Sequence, residues 1–194
     1  MYKNLQFKIV VIFVVFTIAV ITSVGGIMLH RTVNFYDDEF MSQMRETFGE
    51  GSNLVIELRE AFDSEDSYEM QNEILKAYAS SIGVDKHRNY YVLDINGNFK
   101  EGSDKNLGSE LEITPNIVSA MNGEIGAVSG FWSEYIDYAV RVSGNGKSSI
   151  IYVKDTQEEV RSFTKMIFIM TIQAMLIALA GALLLSFFLA RAIT

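Results

Sequence analysis

Apolar residues crowd the two ends of the chain. From Ile9 to Leu29 there are 21 consecutive residues without a charge, and from Met166 to Ala190 there are 25. Each run exceeds the roughly 20 residues that an α-helix needs to cross a hydrocarbon core about 30 Å thick. The pattern predicts two membrane spans, at 9–29 and 166–190. Lys3 and Lys8 would also suit a cleavable leader, but the first run is too long for one, and His30 and Arg31 follow it with no small-residue cleavage site. A core helix is the rival reading of the second run, and such helices seldom stay uncharged for so many turns.

Between the runs the hydrophobic period changes. Val33, Phe40, Met44 and Phe48 recur at helical spacing with no proline among residues 31–48, so the first span is expected to continue outward as a helix until Gly49 and Gly51. Leu54, Val55, Leu58 and Phe62 describe a second stripe. Met70, Ile74, Tyr78 and Ile82 describe a third, closed by Gly83. From residue 90 the alternation is strand-like, Tyr91, Leu93 and Ile95 against Tyr90, Val92 and Asp94, and Asn96-Gly97 suits the two positive φ values of a tight turn. A hairpin over 90–102 is predicted.

Thr114-Pro115 then sets an N-cap hydroxyl before a proline at the first helical position, and Gly123 ends that helix. Three strand candidates follow at 127–133, 136–143 and 148–154, the last two joined by Gly144-Asn145-Gly146. About five antiparallel strands with helices packed on them make an α+β domain with a long N-terminal helix. Asp155 or Thr156, each with a glutamate three residues on, offers a capping box to a last helix that runs into the second span.

Charge sets the orientation. All 24 acidic residues lie between Asp37 and Glu159, while the ends carry only Lys3, Lys8 and Arg191. Under the positive-inside tendency residues 1–8 and 191–194 are cytoplasmic and residues 30–165 extracytoplasmic, a two-pass arrangement in a cell membrane. The outer segment holds 24 acids against 13 bases, a net charge of −11, which disfavours nucleic acid as a partner. One proline and no cysteine among 194 residues exclude a disulfide scaffold and cysteine-based metal sites.

Candidate chemistry is sparse. On the strand at 136–143, Ile136, Tyr138, Val140 and Val142 share one face, so Asp137 and Arg141 share the other with Ala139. Arg141 suits bidentate pairing with a carboxylate ligand, or with Asp137 or another acid. Trp132, Tyr135, Tyr90 and Tyr91 are pocket or core aromatics. Asp37-Asp38-Glu39 and Asp63, Glu65 and Asp66 are acidic clusters whose spacing matches no calcium loop, so no metal or cofactor is assigned. In the second span Ala174, Ala178, Ala182 and Ser186 recur every four residues, the small-residue face expected of a homodimer seam in lipid. No base, nucleophile and orienting group fall together, so no catalytic residue is assigned and any enzymatic activity would belong to other domains of a parent protein.

The stretch Leu93-Asp94-Ile95-Asn96-Gly97-Asn98-Phe99, then Gly102-Ser103-Asp104 and Leu107-Gly108, resembles the opening hairpin of extracytoplasmic PAS-like (single Cache) sensor domains. Ser119-Ala120-Met121-Asn122-Gly123-Glu124 and Ser129-Gly130 are similar to the later helix-to-strand passage of that family. Leu189-Ala190-Arg191-Ala192-Ile193-Thr194 is similar to the junction between a second span and a HAMP linker. Phe35-Tyr36, Phe40 and the whole arrangement resemble the sensory region of bacterial sensor histidine kinases of the WalK and PhoR type. Citrate- and dicarboxylate-type relatives carry His-Pro after the hairpin serine, whereas Asp104-Lys105 follows Ser103 here.

The resemblance implies a homodimeric two-component receptor. An envelope or small-molecule ligand outside would alter a cytoplasmic kinase beyond residue 194, and that kinase would pass phosphate to a response regulator. Two other readings stay open: the same unit feeding a methyl-accepting chemotaxis domain, and a membrane-anchored envelope protein that does not signal.

Overall fold

The computed structural model describes residues 2–108, 111–128 and 134–192. They divide into a folded unit, Tyr36–Glu158, and an apolar unit made of the segments up to Phe35 and from Glu159. Helix α1 (Tyr2–Thr47) continues past the first apolar run as its period predicts, and helix α7 (Glu158–Ala192) contains the second. Both are long and apolar enough to cross a membrane. Only 6% of the first apolar window and 11% of the second is buried, whereas a core helix of a soluble protein would be mostly buried. Inside the apolar unit a Cβ added at Gly25 would lie 2.7 Å from Thr171 Cγ2, so glycine permits the two backbones to approach there.

In the folded unit α2 (Asn53–Glu60) starts at Ser52, whose hydroxyl accepts from Val55 N at 3.2 Å, and a short 3₁₀ turn (Ala61–Asp63) carries the stripe on to Phe62. Helix α3 (Ser67–Ala77) starts at Asp66, and α4 (Ala79–Ile82) ends at Gly83 with φ +75°. The third predicted stripe holds in part, with Ile82 buried and Ile74 and Tyr78 packed against the core. Met70 is 46% exposed, and the buried face of α3 is Gln71, Asn72 and Leu75. Of these amides Gln71 is satisfied on one side only, its Nε2 donating to Leu58 O at 3.2 Å while its Oε1 has no partner among the described residues, and Asn72 Oδ1 accepts from Tyr90 Oη at 3.0 Å.

The sheet comprises β1 (Arg88–Asp94), β2 (Phe99–Gly102), β3 (Ile136–Gly144) and β4 (Lys147–Asp155), all antiparallel, in the order β2-β1-β4-β3. Helix α5 (Lys105–Gly108) follows β2, and α6 (Pro115–Met121) is capped by Thr114 with Pro115 in its first turn as expected. One face of the sheet packs Tyr90, Val92, Tyr138, Ile151 and Val153 against the end of α1, α2, α3 and α4. The other packs Tyr91, Leu93, Ala139, Ile150 and Tyr152 against Ile117 and Ala120 of α6. Both faces are therefore covered, an α+β unit with helices on either side.

Three expectations require correction. Four strands, rather than about five, form the sheet among the described residues; of the candidate at 127–133, residues 129–133 lie outside the description, and the chain beside it contributes one bridge, Gly126 to Ala139. At Asn96-Gly97 only Gly97 has positive φ (+82°), because the Asp94 carboxylate organises a longer loop by accepting from Asn96 N and Asn98 N, both at 2.9 Å. Burial would raise the Asp94 carboxyl, but hydrogen bonds from Asn98, Lys100 and Asn96 outweigh it and hold the group below its ordinary value. The two-residue turn with both φ positive is Asn145-Gly146, at +48° and +73°. Lastly, Asp155 Oδ1 accepts from Gln157 N, two residues on rather than three, at 2.7 Å, and Gln157 takes φ +55° before α7 begins. A tight turn with a left-handed residue replaces the expected capping box.

Gly126 tests the packing of α6 on β3. A Cβ there would collide with the Asn116 carbonyl oxygen, whereas one at Gly51 meets nothing within 4 Å. Gly126→Ala should cost about 2 to 4 kcal/mol and Gly51→Ala less than about 0.5 kcal/mol, read by denaturant unfolding of the full chain in detergent. Equal losses would show that this contact carries no load.

Candidate functional site

Of the residues singled out from the sequence, Asp137 and Arg141 share one face of β3, while Tyr90 lies on the other face of the sheet. Asp137 is 5% exposed and accepts from Thr114 Oγ1 and from Asn116 Nδ2, each at 2.7 Å. Arg141 shares its strand and face but is exposed, and its Nη2 donates to Ser148 Oγ at 3.1 Å. Tyr90 lies on the opposite sheet face, bonded to Asn72. Tyr135 is half-buried with the Lys154 ammonium 4.3 Å from its ring centre, and Trp132 lies outside the described residues. Among these described side chains, Tyr90 therefore faces away from Asp137 and Arg141 across the sheet.

In α7, Ala182 is 5% exposed, Ala178 is half-buried and Ala174 is exposed, while the side chain of Ser186 lies outside the description. The acidic clusters serve local structure. Asp66 caps α3, accepting from Glu69 N at 3.1 Å, and Asp63 Oδ1 accepts from Asn145 Nδ2 at 2.9 Å.

A different constellation gathers where the folded unit's first helix meets its last strand. Arg88, at the start of β1, donates through Nε to Asp155 Oδ2 at 2.9 Å and through Nη1 to Gln43 Oε1 of α1 at 2.6 Å and Ile82 O at 3.0 Å. Its guanidinium sits 4.9 Å from the centre of the Phe40 ring. Beside it Gln157 Nε2 donates to Asp37 Oδ1 of α1 at 2.8 Å, Thr156 N donates to His87 O at 3.0 Å, and His87 Nδ1 lies 2.9 Å from Glu158 Oε2. Asp85 orders the loop before β1 by accepting from His87 N and Arg88 N at 2.7 Å. Burial opposes ionisation of Asp85, yet those bonds and the nearby positive groups hold its carboxyl below the usual range.

This junction ties α1, the α4–β1 loop and the β4–α7 connection through polar contacts. The sequence marks Asp155 as a cap and Asp37 as part of an acidic cluster, but it does not single out Arg88, Gln43 or Gln157. Arg88 and Asp155 are 67 residues apart, and no local period or motif marks them as partners.

No protein-family profile matches the chain, and no curated protein matches it.

Three sheet tyrosines carry a pH signature. Burial, with smaller contributions from nearby carboxylates, pushes the phenols of Tyr90 and Tyr91 up to about 12. Burial and then the Asp137 carboxylate push Tyr152 higher still, and its hydroxyl has no hydrogen-bond partner among the described residues. The folded state therefore holds these groups protonated where the unfolded chain ionises near 10, so their contribution is full below pH 10 and is lost as pH rises through 12. Unfolding free energy should be level to about pH 10 and then fall by several kcal/mol by about pH 12. Tyrosinate absorbance should lag for these three; simultaneous ionisation of all nine tyrosines at pH 10 without unfolding would contradict the burial.

Proposed function

We propose that the chain is the sensory and membrane-spanning region of a bacterial transmembrane receptor, a PAS-like outer domain that relays an envelope or small-molecule signal to a cytoplasmic histidine kinase. The observation that carries the reading is the Arg88–Asp155 junction. The helices that lead from the domain into the two apolar segments are α1 and α7, and the polar contacts of Arg88, Gln157 and Glu158 bind their domain ends to one another and to the sheet.

A change that repositions β1 against β4 alters those contacts, and with them the placement of α7 relative to α1. Two pre-existing states need differ by little, since couplings between distant sites are typically about 1 to 3 kcal/mol. In this reading the protein is a homodimer in the cell membrane with residues 30–165 outside. Small residues of α7 would contribute to the seam, and a response regulator would be the downstream partner through the kinase.

Two measurements test it. Alkaline phosphatase fused at Glu101 should be active in cells, and an inactive fusion reverses the topology. In a chimera that joins residue 194 to a histidine-kinase output module, one alanine inserted after Asp155 should change autophosphorylation severalfold. Asp155→Asn and Arg88→Gln should each shift basal output, with a double-mutant coupling of about 1 to 3 kcal/mol in stability. Output indifferent to the insertion would sink transmission through this junction.

A further inference from the structure

A cleft of about 250 Å³ opens on the helix-covered side of the sheet edge formed by β3, between the end of α1, α2 and the chain that enters β3. Its floor is apolar and deeply buried. Tyr138 is 1% exposed, Val142 2% and Phe48 and Val55 4% each, and the Phe48 and Tyr138 rings stack at 5.9 Å. Its rim carries Arg45, Arg59 and Arg141, with Glu50 and Glu124 beside them. Gly123, at φ +85° with open space where a Cβ would stand, leaves the mouth clear.

The arginines are available. No side-chain hydrogen bond or ion pair joins Arg45 or Arg59 to another described residue, and Arg141 donates through Nη2 to Ser148. All three are exposed, so the surrounding structure does not need their charge. Arg45 and Arg59 offset Glu50 and Glu124 at this cleft inside an outer segment of net charge −11, while the Arg141 guanidinium turns to Ser148 on the other face of β3. The Arg45 charge also acts on the Tyr138 phenol at the floor, lowering it against the rise that burial causes. A planar five-donor fork suits carboxylate oxygens, and a dry aromatic and aliphatic floor suits a hydrocarbon body.

We propose that this cleft binds a small organic carboxylate with an apolar body, its carboxylate held between Arg45 and Arg59 and its body against Phe48, Val55 and Tyr138. Bound there it bridges the end of α1, α2 and β3. It thereby restrains α1 against the sheet within about a turn and a half of Gln43, which bonds Arg88. The inference rests on the sensing role proposed above for its consequence in signalling, but the binding itself is measured separately.

Isothermal titration calorimetry on the full chain in lipid nanodiscs decides it, with isovalerate, phenylacetate and glutamate as millimolar probes and their amides and inorganic phosphate as controls. At least one carboxylate should give saturable heat that its amide does not. Arg45→Gln and Arg59→Gln should each weaken it about tenfold or more, as expected for loss of a charge-assisted hydrogen bond. Lys147→Gln, also exposed, should leave it unchanged. Should a glutamine variant fail to fold, Arg59→Lys keeps the charge, loses the fork and should weaken binding severalfold. No heat from any carboxylate, equal heat from phosphate, or binding indifferent to both arginines overturns the proposal. Binding that persists in a receptor whose output ignores the insertion after Asp155 upholds the cleft and rejects only the relay.

Discussion

Arg88 is the point at which four segments of the folded unit are held together. Its side chain is about 17% exposed, and two nitrogens of the fork serve three acceptors, Nε reaching Asp155 of β4 and Nη1 reaching Gln43 of α1 and the carbonyl of Ile82 at the end of α4. Lysine would supply the charge without the geometry. The same group constrains its neighbours, since a Cβ at Gly83 would stand 2.6 Å from Arg88 Nη1. Glycine is needed there for space as well as for its φ of +75°.

Around that point the sheet is buried on both sides. β1 and β4 are its central strands and five successive residues of β4, Ser149–Val153, are buried, so inward and outward positions alike must be satisfied. Apolar side chains do most of this. Among the described polar groups on covered faces, Asp137 is partnered by Thr114 and Asn116 beneath α6 and Asn72 by Tyr90 beneath α3, whereas the Ser149 and Tyr152 hydroxyls of β4 have no hydrogen-bond partner. Such pairings set the register of helix on sheet more narrowly than apolar contact can, because a shifted helix would strand a buried hydrogen-bonding group.

The proposed receptor function follows from where the chain enters and leaves this unit. The helix that enters, α1, also walls the arginine cleft through Arg45 and Phe48, and the strand before the exit ends on Asp155. Entry, cleft and exit thus share α1 and the sheet as common parts. A ligand's contacts and the exit turn therefore draw on the same packed elements, which is the physical condition for one to bias the other.

The elements themselves were legible in the residues because their causes are local. Two uncharged runs of 21 and 25 residues announce apolar helices, Thr114-Pro115 announces the start of α6, and a period of two announces β1, β3 and β4. Alternation even assigned Tyr138 and Asp137 to opposite faces correctly. What the period does not carry is whether a face is covered, and by what. Covering α3 buried Gln71 and Asn72 in preference to Met70, Asp94 outcompeted the turn preference of Asn96-Gly97, and Arg88 met a partner 67 residues away. Short-range backbone preference determines helices, strands and turns; desolvation and long-range hydrogen bonding, which exist only once the layers close, decided which charges meet and where a cleft opens.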